Sequence, residues 1–161
     1  MPDMPPVIYL RGTVAADVPR LFEFQRDPAA NRMAGTKPRD LATFHGRWEE
    51  ILRDPVLQGV TPRVIIAGGE LVGSINISPH EGEPSIGYWI AREHWGKGIA
   101  TRAIGLMLAE VTKRPLVAQV WDRNIASLRA LERHGFVITS RYHSPETERS
   151  VAREMIGLRL G

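Results

Sequence analysis

The amino-acid sequence predicts an α/β chain of the α+β type, with a mixed, mostly antiparallel sheet of about seven strands, four helices and one parallel strand pair. Three observations carry that expectation. Ile86-Gly87-Tyr88-Trp89-Ile90 is a run of aromatic and β-branched residues that reads as a strand, and the glycine turn His94-Trp95-Gly96-Lys97-Gly98 leads from it into an apolar stretch at helical spacing. A further strand-like run, Pro115 to Trp121, follows, and strand, helix, strand in this order makes a right-handed crossover between parallel strands. Upstream, Pro62 to Ala67 and Leu71 to Ile77 flank Gly68-Gly69-Glu70, a tight hairpin signal, so the sheet before the crossover is an antiparallel meander.

Taken in order, Val7 to Arg11 is a short edge strand between Pro5-Pro6 and Gly12. Asp17 is placed to cap a helix through about Arg26, with Pro19 tolerated in its first turn and Asp27-Pro28 ending it. From Ala29 to Pro38 nothing is periodic, and Asn31 to Thr36 reads as a loop in which Arg32 and Met33 have no evident packing duty. Asp40 to about Arg53 is a second amphipathic helix, with Phe44 and Trp48 on its core face. After the hairpin, Ser78 to Gly82 is a turn into the strand Pro84 to Ala91. The helix from about Gly98 to Thr112 is apolar around most of its circumference and so is buried on the sheet. Asn124 to His134 is a short helix, Phe136 to Tyr142 a strand, and Val151 to Leu160 a last strand antiparallel to it.

At 161 residues the chain fits one domain, 1–161. The opening residues, Met1 to Pro6, lack the charged-then-apolar build of a signal peptide, and no apolar run approaches the ~20 residues that span a bilayer, so a cytoplasmic location is expected. Cysteine is absent, which excludes disulfides, thiolate metal sites and a cysteine nucleophile. The five histidines show no ligand spacing, and no metal is expected. With a formal charge of only +3 and scattered basic residues, no specific nucleic-acid partner is expected either.

The glycine turn is where chemistry concentrates. Two glycines one residue apart let the backbone curl close to a ligand, and the first turn of the following helix offers unpaired N–H groups beside Lys97. With the positive end of the helix dipole they suit a phosphate or pyrophosphate. A P-loop cannot be read here, and a Rossmann turn fails because Thr101 stands where its third small residue belongs.

The string Trp95-Gly96-Lys97-Gly98-Ile99-Ala100 resembles the acetyl-CoA signature of the GNAT N-acetyltransferase superfamily, with Trp95 replacing the usual Gln or Arg, and Trp-Gly-Lys-Gly-Ile-Ala-Thr is similar to the branch of bacterial ribosomal-protein N-terminal acetyltransferases. Asn124 at the head of a later helix that ends in Gly135-Phe136 is the second match. The resemblance implies the GNAT fold, with the parallel pair splayed around acetyl-CoA as cosubstrate. It also implies an acetyl transfer to a primary amine by direct attack in a ternary complex. The acceptor stays open between a protein or peptide N-terminus, an amino acid, a polyamine and a drug amine, and a homodimer is possible.

By position the resemblance assigns cofactor contacts to Trp89, Ile90, Ala91 and Arg92 on the strand, with an N–H near Ile90 as oxyanion donor, and to Trp95, Gly96, Lys97, Gly98, Ile99, Ala100, Thr101 and Asn124. The superfamily's usual tyrosine acid falls on Leu131 and its usual strand glutamate on Ser85. Ser127 is the candidate to hydrogen-bond the sulfur. Glu83, on the same strand face as Ser85, is the candidate base ahead of Glu93, His94 and His143, with a water as the alternative. Loss of both usual groups leaves a second reading open, a CoA-binding sensor or interaction module.

Overall fold

The computed structural model describes residues 6–161, so the reading of Met1 to Pro5 lies outside the described residues. Its centre is one seven-stranded sheet in the order β1-β2-β3-β4-β5-β7-β6. The strands are β1 (Ile8–Gly12), β2 (Thr61–Ala67), β3 (Glu70–His80), β4 (Glu83–Ile90), β5 (Leu116–Trp121), β6 (Val137–Ser144) and β7 (Arg153–Leu160). Every neighbouring pair is antiparallel except β4 and β5, which are parallel and meet in register only at Ser85 and Val117. Beyond that bridge the two strands part. The expected mixed sheet with one splayed parallel pair is present.

Side-chain alternation divides the core between the two faces of the sheet. On one face Ile65, Ile75, Ile86 and Ile156 pack under α4 (Ile99–Glu110) and α5 (Ile125–Glu132). On the other, Val64, Ile66 and Ala91 pack under α1 (Val18–Gln25) and α3 (Leu41–Arg53), where Phe44 is buried and Trp48 half-buried as core residues.

The structure corrects the sequence reading in three places. First, five α-helices are present among the described residues, because Pro28–Ala34 forms α2 where a loop was expected. Asp27 both follows α1 and caps α2, its carboxylate accepting from the Ala29 N–H at 3.1 Å, and Gly35 closes the helix at φ 72°. Buried Asn31 holds it, donating to the carbonyls of Gln25 and Asp27 at 2.8 and 3.0 Å. Arg153 donates to the Ala34 carbonyl at 2.8 Å, tying α2 to β7.

Second, β3 continues to His80, so the following turn shrinks to Glu81-Gly82, both at positive φ as a two-residue hairpin requires. Third, Asp17 makes no cap bond to α1. Its carboxylate turns back to accept both guanidinium nitrogens of Arg11 at 2.8 Å and the Val14 N–H at 2.9 Å.

That buried carboxylate is held below its ordinary pKa, chiefly by the Arg11 hydrogen bonds and with help from Val14, against the opposing pull of burial. A group depressed on folding stabilises above its unfolded value, roughly pH 4, and loses that contribution as pH falls through the depressed folded value. Asp17→Asn is therefore expected to cost about 1–3 kcal/mol at pH 7. Urea midpoints at pH 7 and pH 3 check this: the gap between variant and parent should narrow in acid.

Candidate active site

The splay is lined by backbone, and its direction follows from two hydrogen bonds. The Ala91 N–H donates to the Val72 carbonyl at 2.9 Å, so odd-numbered residues at this end of β4 pair with β3. Ile90 therefore turns its N–H and C=O toward the gap left by β5. Its carbonyl accepts the Trp95 indole N–H at 2.8 Å.

After one 3-10 turn at Arg92–His94 the chain enters the glycine turn, with Gly96 at φ 75° and Gly98 at φ 74°. A Cβ on either would meet no protein atom within 4 Å, so what demands glycine here is the left-handed backbone rather than crowding. Arg102 makes the first bond of α4, to Gly98 at 3.2 Å, which leaves the N–H groups of Ile99, Ala100 and Thr101 without intrahelical acceptors. The turn is braced from behind by Arg92 on Asp27 at 3.3 Å, Arg20 on Glu93 at 3.5 Å, and the Trp89 indole on the Phe24 carbonyl at 3.2 Å.

A cleft of about 480 Å³ runs from this turn along the splay to α2, where Ala30, Met33 and Ala34 form its far wall. The structure brings Trp89, Ile90, Trp95, Gly96, Gly98, Ile99, Ala100, Thr101, Asn124 and Ser127 to its lining. Four of the expected site residues are not there. The Ala91 N–H is committed to β3, the Arg92 side chain turns to Asp27, and Lys97 is exposed beside the turn.

Glu83 is the fourth. It begins β4 seven residues before Ile90, about 23 Å away at the rise of an extended strand, and pairs with Arg159 at 2.9 Å. The base is therefore not assigned to it. No carboxylate lines the cleft among the described residues.

The opposite wall comes from α5. Asn124 caps this helix, its Oδ1 accepting the Ser127 N–H at 3.3 Å. Ser127 in turn lies 2.5 Å, Oγ to Oη, from Tyr88, whose side chain rises from β4 into the cleft. Burial pushes the Tyr88 phenol up to about 12, outweighing the hydrogen bond it shares with Ser127, which acts the other way. Leu131, where the superfamily's acid would stand, is 1% exposed and belongs to the core.

Arg129 and Arg133, one helical turn apart, complete the outer end near the glycine turn. Neither is ion-paired with a carboxylate among the described residues. His134 fixes α5 against the start of α4 through Nε2 and the Thr101 carbonyl at 2.6 Å. Tyr88, Arg129 and Arg133 escaped the sequence reading. Tyr88 could have been found by its alternation with Ile86 and Ile90, and the arginines by their i, i+4 spacing on a helix headed by a site residue.

These features suit a long anionic thioester ligand: unpaired helix N–H groups and arginines at one end, a strand edge parted from its neighbour in the middle, and a hydroxyl pair beyond. No curated protein matches the chain by sequence. Solved structures share its fold over nearly the whole chain.

An acetyltransferase from Salmonella typhimurium that modifies the N-terminal serine of ribosomal protein L7/L12 superposes with a TM-score of 0.77 at 15% identity, covering 95% of this chain and 94% of the other. Spermidine N-acetyltransferase from Vibrio cholerae, solved with CoA and spermine, gives 0.77 at 16% identity over 95% and 94%. RimJ from Mycobacterium smegmatis, with a CoA disulfide, gives 0.74 at 23% over 98% and 85%. The sequence itself matches the acetyltransferase (GNAT) domain over residues 8–137, well over half its length, and the chain therefore belongs to the GNAT acetyltransferase family.

Proposed function

We propose that the protein transfers an acetyl group from acetyl-CoA to a primary amine, of a protein or peptide N-terminus or a small molecule, by direct attack in a ternary complex. The observation that carries this reading is the parting of β4 from β5 after one bridge, because the gap opens at the glycine turn and ends at α2. Acetyl-CoA supplies an activated acyl group whose leaving thiolate needs no covalent partner on the protein. The Ile99, Ala100 and Thr101 N–H groups with Arg129 and Arg133 take its phosphates. Met33 and Ala30 border the end from which an amine approaches.

The N–H of Ile90, facing the gap, is the donor for the oxyanion that develops on the acetyl carbonyl. Ser127 hydrogen-bonds the sulfur. With Glu83 remote, the His94 Nε2 turned to Glu70 at 3.7 Å and no carboxylate in the lining among the described residues, a water takes the proton from the amine.

Calorimetric titration with acetyl-CoA and with acetyl-4′-phosphopantetheine, the same thioester without its 3′,5′-ADP portion, tests the cofactor half of this reading. Micromolar binding of acetyl-CoA, about −8 kcal/mol, weakening at least tenfold without the ADP portion, is expected. Thiol release with a panel of primary amines tests the other half. No binding of acetyl-CoA overturns the whole, and tight binding without thiol release favours the sensor reading.

A further inference from the structure

We propose that Tyr88 is a positioning residue that fixes the oxygen of Ser127, so that the serine O–H is presented to the departing thiolate; this rests on the acetyltransferase reading above. The tyrosine hydroxyl lies 2.5 Å from Ser127 Oγ and 3.2 Å from the Ser127 carbonyl. It has one proton to give. Across the 2.5 Å contact either hydroxyl can donate, and a departing thiolate, the strongest acceptor in reach, takes the Ser127 proton and leaves the tyrosine's proton for Ser127 Oγ.

With its oxygen held by Tyr88 and its N–H held by Asn124 Oδ1 at 3.3 Å, Ser127 keeps one freedom, rotation of its own O–H, which the lining of the cleft leaves open. Without Tyr88 that hydroxyl would be free to turn back onto the helix backbone, as serines in first turns do.

Acidity decides what the pair can do. A thiol ionises near ~8.5, whereas the Tyr88 phenol is pushed up to about 12, so it would not surrender its proton to a thiolate. It stays protonated throughout the neutral range and acts as a constant donor. The step balances without ionising either hydroxyl. The amine nitrogen bonds to the acetyl carbon, its proton leaves with water, the C–S bond breaks and its electron pair goes to sulfur. Ser127 donates a hydrogen bond to that sulfur, and solvent supplies the proton that makes the thiol. The role taken in the superfamily by a tyrosine at the position of Leu131 is thus divided between a strand and a helix.

The test is a double-mutant cycle of Tyr88→Phe and Ser127→Ala, read as kcat and as KM for acetyl-CoA. Tyr88→Phe keeps the buried ring and should lower kcat about tenfold with KM unchanged within twofold, the scale of one hydrogen bond. In the Ser127→Ala background the same change should cost nothing more. Additive losses, an unchanged kcat in Tyr88→Phe, or a loss confined to KM would overturn the proposal while leaving the acetyltransferase reading standing. A parent protein that turns over no amine would overturn both.

Discussion

Replacing Gly98 by Val is expected to weaken acetyl-CoA binding by at least ~100-fold while the protein stays folded. Gly98 sits at φ 74° at the head of α4, a conformation that costs an L-residue about 1–2 kcal/mol and a β-branched one more. A Cβ there meets no protein atom within 4 Å, so the fold has room for the side chain. What it lacks is a reason to keep the turn. If the substituted valine relaxes toward negative φ, the N–H groups of Ile99 to Thr101 swing off the phosphates, and losing two charge-assisted bonds at about 1.5–3 kcal/mol each gives at least the stated factor. Gly98→Ala should fall between, near tenfold. The same titration reads selectivity as well: the advantage of acetyl-CoA over the thioester lacking ADP should disappear in the Gly98→Val variant. Unchanged affinity in both variants would show that the turn does not hold the phosphates.

The parts legible in the sequence are those written in consecutive residues. The glycine turn, its flanking strand and its helix are one contiguous pattern, and Asn124 with Gly135-Phe136 marks both ends of α5. Helix α2 was not legible because seven residues make barely two turns and show no period, although Asp-Pro at its start and Gly at its end were present. Glu83 shows the limit of alternation, which tells the face a side chain takes and not its distance from a ligand. Tyr88 depends on Ser127 thirty-nine residues later, a pairing that only the packing of α5 over β4 creates. The insertion of β7 between β5 and β6 is of the same kind.

Gly73→Ala is expected to destabilise the protein by about 2–4 kcal/mol, lowering its melting temperature by about 5–15 °C for a chain of this size. Gly73 on β3 faces Ile90 on β4, and a Cβ there would overlap the Trp89 carbonyl oxygen and lie 3.2 Å from the Ile90 Cα. Those are backbone atoms. They cannot step aside by changing rotamer, and the Trp89 side chain is itself tied to the Phe24 carbonyl at 3.2 Å. The strands must therefore separate where β4 begins to leave the sheet. Gly87→Ala on the neighbouring strand β4 is the control, since its Cβ would meet nothing within 4 Å and should shift stability by no more than ~0.5 kcal/mol. Urea unfolding of the two variants decides the point, and equal stability would show that the close approach at Gly73 is not required. If it is required, the folded fraction of Gly73→Ala should also bind acetyl-CoA more weakly. The Ile90 N–H and the glycine turn take their aim from the path of β4, and Gly73 lets β3 hold that path from the side opposite the cleft.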